Sequence, residues 1–157
     1  MRSDRLISVL LLMLLPLPAA GQSAIDVARK AHLMGTWAMS CATPTVPANS
    51  RIIYYTAPNG VLGRRIDRGP GYPPLEGFVE YIEVNDDAFT IRLRFRTDGI
   101  VGGRPLEAIL LNLNNYLRIL SATADDGSLF IKDGHLTANG EPAPSLEKCA
   151  DDAGETS

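Results

Sequence analysis

The chain is poor in the residues that build metal sites and many catalytic centres. It contains only 2 cysteines and 2 histidines among 157 residues. Zinc fingers and iron–sulfur clusters need more ligands than this, and a small disulfide-rich scaffold needs more cysteines. Because these ligand residues are so few, we predict no metal site and no cofactor. Aromatic residues are also scarce, at 6% of the chain.

A surplus of positive charge is also missing. The chain carries 15 lysine and arginine residues against 18 acidic ones, for a net charge of -3. Nucleic-acid-binding proteins normally have a basic excess, so no nucleic-acid partner is expected. The mean hydropathy of +0.01 is typical neither of a disordered chain nor of a polytopic membrane protein. The length suits a single globular domain.

The longest apolar run lies at the start of the chain and is too short to cross a bilayer. Two arginines precede an apolar run over residues 6–17, and small residues follow at 19–21. A transmembrane helix needs roughly 20 apolar residues, whereas this pattern is typical of a secretory leader. We predict a signal peptide over residues 1–22, cleaved near Ala20 to Ser23. No cysteine stands at the cut to accept a lipid. The protein is therefore expected to be secreted or periplasmic and not an integral membrane protein.

The two cysteines, Cys41 and Cys149, are expected to form a disulfide. Exported proteins meet an oxidising compartment, in which paired cysteines form such bonds. The bond would close a loop across most of the mature domain. A reactive thiol is the alternative, but no histidine lies near either cysteine in the sequence to activate it.

After a short helix, predicted over residues 24–33, apolar and polar residues alternate with the period of two that marks β-strands. Turn signals such as Asn59-Gly60 and Asp126-Gly127 separate the strands. The predicted strands span 35–41, 51–56, 61–67, 78–84, 89–96, 106–112, 116–123 and 129–132. The domain is expected over residues 23–149, and the acidic tail at 150–157 is expected to be disordered.

Eight short strands joined by tight turns favour an all-β fold, namely a single antiparallel up-and-down barrel. Long crossover helices are missing, which excludes a parallel βαβ arrangement. Eight strands is also the number at which such a sheet can close without leaving edges. A β-sandwich of two sheets has the same local signals and stays open as an alternative.

The start of the domain resembles that of lipocalins and their calycin relatives. Gly35-Thr36-Trp37 opens the first strand directly after the helix, which matches the Gly-x-Trp motif that closes the barrel base in that family. The resemblance implies a lipocalin-like barrel. It also implies that an arginine from a late strand packs over Trp37, and Arg118 is the matching candidate.

The barrel interior is the expected ligand site. The strand over 89–96 shows the cleanest alternation in the chain, with an apolar side that would face inward. The candidate ligand-binding residues are Trp37, Met39, Phe89, Ile91, Leu93, Phe95 and Arg118. We predict a non-enzymatic exported binding protein for a small hydrophobic or amphipathic molecule.

The other side of that strand carries Arg92, Arg94 and Arg96. Arginine binds carboxylates and phosphates through a bidentate fork. An envelope interaction or inhibitor protein acting through this surface is therefore a second hypothesis. A solvated face paired with glutamates of neighbouring strands, such as Glu80 and Glu107, explains the same residues.

The sequence indicates no catalytic constellation. His32 and His135 belong to no spacing typical of a nucleophilic centre or a metal site. Glu80 and Glu83 lie on one strand and are expected on opposite faces, too far apart to act as a pair. A small-barrel isomerase or cyclase is a third hypothesis, and it requires a carboxylate that points into the barrel.

Mass spectrometry of the protein recovered from its own compartment tests the leader and the disulfide together. We expect a mature N-terminus near Ala20 to Ser23. We also expect an intact mass about two daltons below that of the same chain after reduction, because disulfide formation removes two hydrogen atoms. A recovered chain that still begins at Met1 would contradict the predicted leader.

Overall fold

The computed structural model describes residues 23–86, 88–95 and 104–151. The predicted leader at 1–22 lies outside the described residues, as do Arg96 and the part of the predicted tail from 152 onward. No helix within the described ranges is long and apolar enough to span a bilayer.

The described chain begins with a short helix, α1, over Ala24–Lys30. The Ser23 hydroxyl caps it by accepting a hydrogen bond from the Asp26 amide at 3.2 Å. The helix is shorter than predicted because His32 adopts a φ of 54°, which is incompatible with a right-handed helix. Ile25 and Ala28 form its buried face.

Ten strands follow the helix in the described residues. They are β1 (Gly35–Ala38), β2 (Arg51–Thr56), β3 (Leu62–Asp67), β4 (Leu75–Asn85), β5 (Ala88–Phe95), β6 (Pro105–Leu113), β7 (Tyr116–Ala124), β8 (Leu129–Lys132), β9 (His135–Leu136) and β10 (Ser145–Ala150). Each strand from β1 to β7 pairs antiparallel with the next, and β10 pairs with both β7 and β1. These eight strands form a closed antiparallel barrel. The predicted fold class is confirmed, and the sandwich alternative is not what the chain forms.

The eighth strand of the barrel is β10 and not the predicted strand over 129–132. β7 shares its second edge between two partners: residues 116–118 pair with β10, and residues 122–123 pair with β8. β8 and β9 form a hairpin beside the ring. β10 continues through Ala150, so the ordered domain extends past the predicted end at 149.

The alternation along β5 sets the inside and the outside of the barrel. Every second side chain of this strand is buried and the others are partly exposed. The buried set is Phe89, Ile91, Leu93 and Phe95, and the partly exposed set is Ala88, Thr90, Arg92 and Arg94. The predicted inward apolar side of this strand is confirmed.

Trp37 closes the base of the barrel beneath α1. The residue is fully buried, and its Nε1 donates a hydrogen bond to the Leu33 carbonyl at 2.8 Å. The cation over its ring is Lys148 of β10, whose Nζ lies 5.6 Å from the ring centroid. The expected contact with Arg118 is wrong, because Arg118 follows the buried Leu117 and points outward from β7.

Two features hold β10 in place against β1. Gly35 has a φ of 108°, and a Cβ at this position would collide with the carbonyl oxygen of Ala150. Cys41 and Cys149 form the predicted disulfide, with an S–S distance of 2.04 Å. The bond fits an oxidising compartment, and it links the chain beyond β1 to the closing strand.

Replacement of both cysteines, Cys41→Ser with Cys149→Ser, is expected to lower the free energy of unfolding by about 4–5 kcal/mol. The disulfide joins residues 108 positions apart, so its loss releases a large part of the unfolded chain from a constraint. Urea unfolding of the wild type, with and without reductant, measures the effect. The double variant should be insensitive to reductant. An unchanged midpoint for the reduced wild type would contradict the prediction.

Candidate functional site

A cavity of about 400 Å³ lies inside the barrel. Its wall is mostly apolar and comes largely from β5, β6, β7 and the β8–β9 hairpin. Prominent lining residues are Ile91, Leu93, Phe95, Leu106, Leu110 and Phe130. Pockets for small molecules span roughly 300–1,000 Å³, so this cavity is large enough to hold one.

A pair of alanines leaves space between β6 and β7. Ala108 and Ala122 are cross-strand neighbours, and both line the cavity. The next inward pair along these strands is Leu110 with Ile119. Protein interiors normally contain few voids larger than a water molecule. Two facing methyl groups at this level of the barrel therefore leave volume that larger side chains would fill.

The cavity reaches the surface at the end of the barrel away from α1. Leu33 and Trp37 are fully buried and fill the end beneath the helix. At the other end, Thr137, Ala138 and Pro144 line the cavity and are exposed. These three residues belong to the segment between β9 and β10, so the opening lies beside the β8–β9 hairpin.

Arg64 brings a positive charge into this apolar wall. It lies in the middle of β3 and is only 7% exposed. Its Nε donates a hydrogen bond to the hydroxyl of Tyr54 at 3.3 Å. Its guanidinium carbon lies 5.3 Å from the ring centroid of Phe95 and 5.8 Å from that of Tyr54. Both Tyr54 and Phe95 also line the cavity.

The sequence pattern drew attention to the arginines of β5 and not to Arg64. The signal that could have done so is the alternation of Leu62, Arg64 and Ile66, all of which are buried. Arg65 occupies the opposite face, where it is exposed and pairs with Glu76 at 2.5 Å.

Three of the seven residues predicted to bind a ligand line the cavity, namely Ile91, Leu93 and Phe95. Trp37 belongs to the packed base of the barrel, and Phe89 borders a separate groove beside α1. Ligand binding by the three lining residues stays a prediction.

The other two predicted residues lie on the surface. Met39 follows the end of β1 and is 47% exposed. Arg118 is exposed on the outer side of β7. Neither side chain belongs to the cavity wall.

The groove beside α1 has a volume of about 380 Å³ and a different chemical character. Its lining combines the apolar Val27 and Phe89 with Lys30, Asp86 and Asn112. An apolar molecule bound there would lie against charged groups and would desolvate them at a cost. The barrel cavity is therefore the better candidate for an apolar ligand.

Arg92 and Arg94 lie on the outer face of the barrel and share one carboxylate. Their Nε atoms donate to the two oxygens of Glu80 at 2.9 Å and 2.6 Å. The hydrogen bond from Arg94 lowers the pKa of Glu80 below its ordinary value, with a further contribution from Arg92 and against a weaker opposing effect of burial. The described part of the arginine face thus already has an acidic partner.

A bulge in β4 explains the position of Glu80. The register of β4 against β5 shifts between Val79 and Tyr81. Val79 points inward, whereas Glu80 and Tyr81 are both exposed. The shift places Glu83 on the outer face together with Glu80, so the expectation that they lie on opposite faces is wrong.

Comparisons of the chain with protein-family models, with curated proteins and with solved structures find no match. The closed barrel with a helix at its base agrees in architecture with the lipocalin-like resemblance. Architecture alone does not assign a function. Within the described ranges, no group of three His, Cys, Asp or Glu side chains is placed to hold a metal ion.

The Glu80→Gln variant is expected to lose up to about 1 kcal/mol of stability at neutral pH, the usual range for exposed ion pairs. Because the pKa of Glu80 is lowered in the folded state, its contribution is present above the unfolded-state pKa. It is lost as the pH falls through the folded-state pKa. Urea unfolding from neutral to acidic pH should therefore show the free energies of unfolding of the wild type and of Glu80→Gln converging. Glu83→Gln on the same strand is the matched control, and a difference that widens toward acidic pH would contradict the prediction.

Proposed function

We propose that this chain is an exported, non-enzymatic binding protein that holds a small hydrophobic or amphipathic molecule in the barrel cavity. The observation that carries the proposal is the largely apolar cavity of about 400 Å³, which opens at one end of the barrel. The cavity has both the volume and the access that a small ligand needs.

The chemistry of the wall favours an apolar ligand over water. An ordered buried water typically makes about three hydrogen bonds to polar partners. Among the described residues that line this wall, only Tyr54, Arg64 and Thr137 have side chains with hydrogen-bonding groups. A hydrocarbon body would bury this surface and gain roughly 25 cal/mol for each Å² of apolar area removed from water.

Export is part of the proposal. The predicted leader and the Cys41–Cys149 disulfide both support a secreted or periplasmic location. A carrier in such a compartment would protect a poorly soluble molecule from water by enclosing it.

The two alternative functions have less support. An interaction protein acting through the arginine face would have to compete with Glu80 for Arg92 and Arg94. A small-barrel isomerase or cyclase of the kind considered from the sequence would need a carboxylate in the cavity. The described residues that line it include no aspartate or glutamate.

Binding of the neutral fluorescent probe N-phenylnaphthylamine tests the proposal. We expect the wild type to enhance its fluorescence saturably, and the Ala122→Phe variant to lose most of this binding because the larger ring fills the cavity. Thr123→Phe is the matched control, since Thr123 pairs with the exposed Glu107 and points away from the cavity. Thermal unfolding checks that both variants fold.

Native mass spectrometry of the protein from its own compartment adds a test without a probe. A small molecule that stays bound under native conditions and is absent after denaturation supports the proposal. A wild type that neither binds the probe nor retains any molecule would overturn it.

A further inference from the structure

We infer that the ligand of the barrel cavity carries a single negative charge, and that Arg64 and Tyr54 bind this charge. The ligand class is then a monocarboxylic acid with an apolar body. This inference rests on the proposed function and specifies the chemistry of the molecule that the cavity holds.

The first argument is that Arg64 points into the barrel from a position where a charge is costly. Leu62 and Ile66, two residues to either side on β3, are buried like Arg64 itself. Its cross-strand neighbours are Tyr54 on β2 and Gly77 on β4. Removal of an isolated charge from water is costly unless a partner compensates it.

The second argument is that Arg64 differs from the arginines on the outside of the barrel. Arg65 has Glu76, and Arg92 and Arg94 share Glu80. In the described part of the chain, no carboxylate lies within 4.0 Å of the Arg64 guanidinium. Its hydrogen-bond and cation–π partners there are one hydroxyl and two aromatic ring faces. The positive charge inside the barrel thus lacks the acidic partner that the outer ones have.

The third argument is that Tyr54 adds a second donor at the same place. Its hydroxyl accepts the hydrogen bond from Arg64 Nε, and a hydroxyl that accepts one hydrogen bond can still donate another. The ring of Tyr54 is buried, which fixes the position of the hydroxyl. A carboxylate that meets a guanidinium and a phenol hydroxyl forms charge-assisted hydrogen bonds, the strongest kind available to it.

The number of charges on the ligand follows from the need to compensate the single positive charge of Arg64. One guanidinium compensates one negative charge, whereas a neutral head group would leave Arg64 uncompensated in an apolar wall. A doubly charged head group would leave a negative charge without a partner in the same surroundings. The rest of the wall, including Leu93, Leu106 and Phe130, suits a hydrocarbon body.

Three probes with the same number of carbon atoms separate the charge of the head group from the apolar body: decanoic acid, decanol and decylamine. Displacement of N-phenylnaphthylamine measures the affinity of each. We expect the wild type to bind decanoic acid roughly tenfold or more tightly than decanol, because a hydrogen bond with an ionised partner is about twice as strong as one between neutral groups. Decylamine should bind most weakly, since its positive charge would approach Arg64.

The Arg64→Met variant should lose the preference for the acid and bind decanoic acid and decanol about equally. Arg65→Met is the matched control, since it removes a neighbouring arginine from the outer face and should keep the preference. A variant that retains the acid preference without Arg64 would overturn the inference. Equal affinity of the wild type for acid and alcohol would do the same.

A test on the wild type alone covers the case in which Arg64→Met does not fold. Protonation of decanoic acid at low pH removes its charge, so its affinity should fall to that of decanol. Binding of decanol should stay constant over the same range. An acid preference that persists after the acid is protonated would overturn the inference. If N-phenylnaphthylamine binds the wild type and none of the three compounds displaces it at any pH, the inference fails and the proposed function stands. If N-phenylnaphthylamine does not bind and the protein retains no molecule, the proposed function itself fails.

Discussion

The pairing of β10 with both β7 and β1 is the interaction on which the rest of the structure depends. Without it, β1 and β7 would present open edges, and the sheet would have no inside. Three features support the closure: the missing side chain at Gly35, the Cys41–Cys149 disulfide, and the Lys148 ammonium over Trp37. Once the sheet is closed, one side of the strands faces a region shielded from water and the other side faces the solvent. Alternating apolar and polar side chains fit these two surroundings.

Much of the barrel could be predicted from the sequence, because most of its strands carry a local signal. β5 alternates between buried and exposed residues over its whole length, and tight turns separate most neighbouring strands. β10 carries no such signal. Its buried residue is Leu146, and it follows a segment with Pro142 and Pro144. The stretch over 129–132 looks more like a strand, yet only long-range pairing decides which of the two closes a barrel.

The site was less predictable than the fold, because much of it depends on contacts between distant parts of the chain. Ile91, Leu93 and Phe95 line the cavity because the period of their own strand turns them inward. The importance of Arg64 depends on what surrounds it in space, since the sequence alone does not tell which arginines have an acidic partner. The faces of Glu80 and Glu83 could not be predicted without knowing that β4 contains a bulge. One extra residue in a strand moves the following side chains to the other face.

The position of β8 and β9 outside the ring has a consequence for dynamics. These two strands hold to the barrel through two paired positions on β7 and to each other through two more. Separation of the hairpin would break this short ladder, the hydrogen bond from the Gly134 amide to the Leu120 carbonyl and the packing of Ile131 against the core. It would leave all eight strands of the ring paired. Local opening there has a lower free energy than global unfolding. Amide hydrogens of the hairpin should therefore exchange with solvent sooner than those of the ring. The hairpin can therefore separate from β7 and pair with it again while the barrel stays folded.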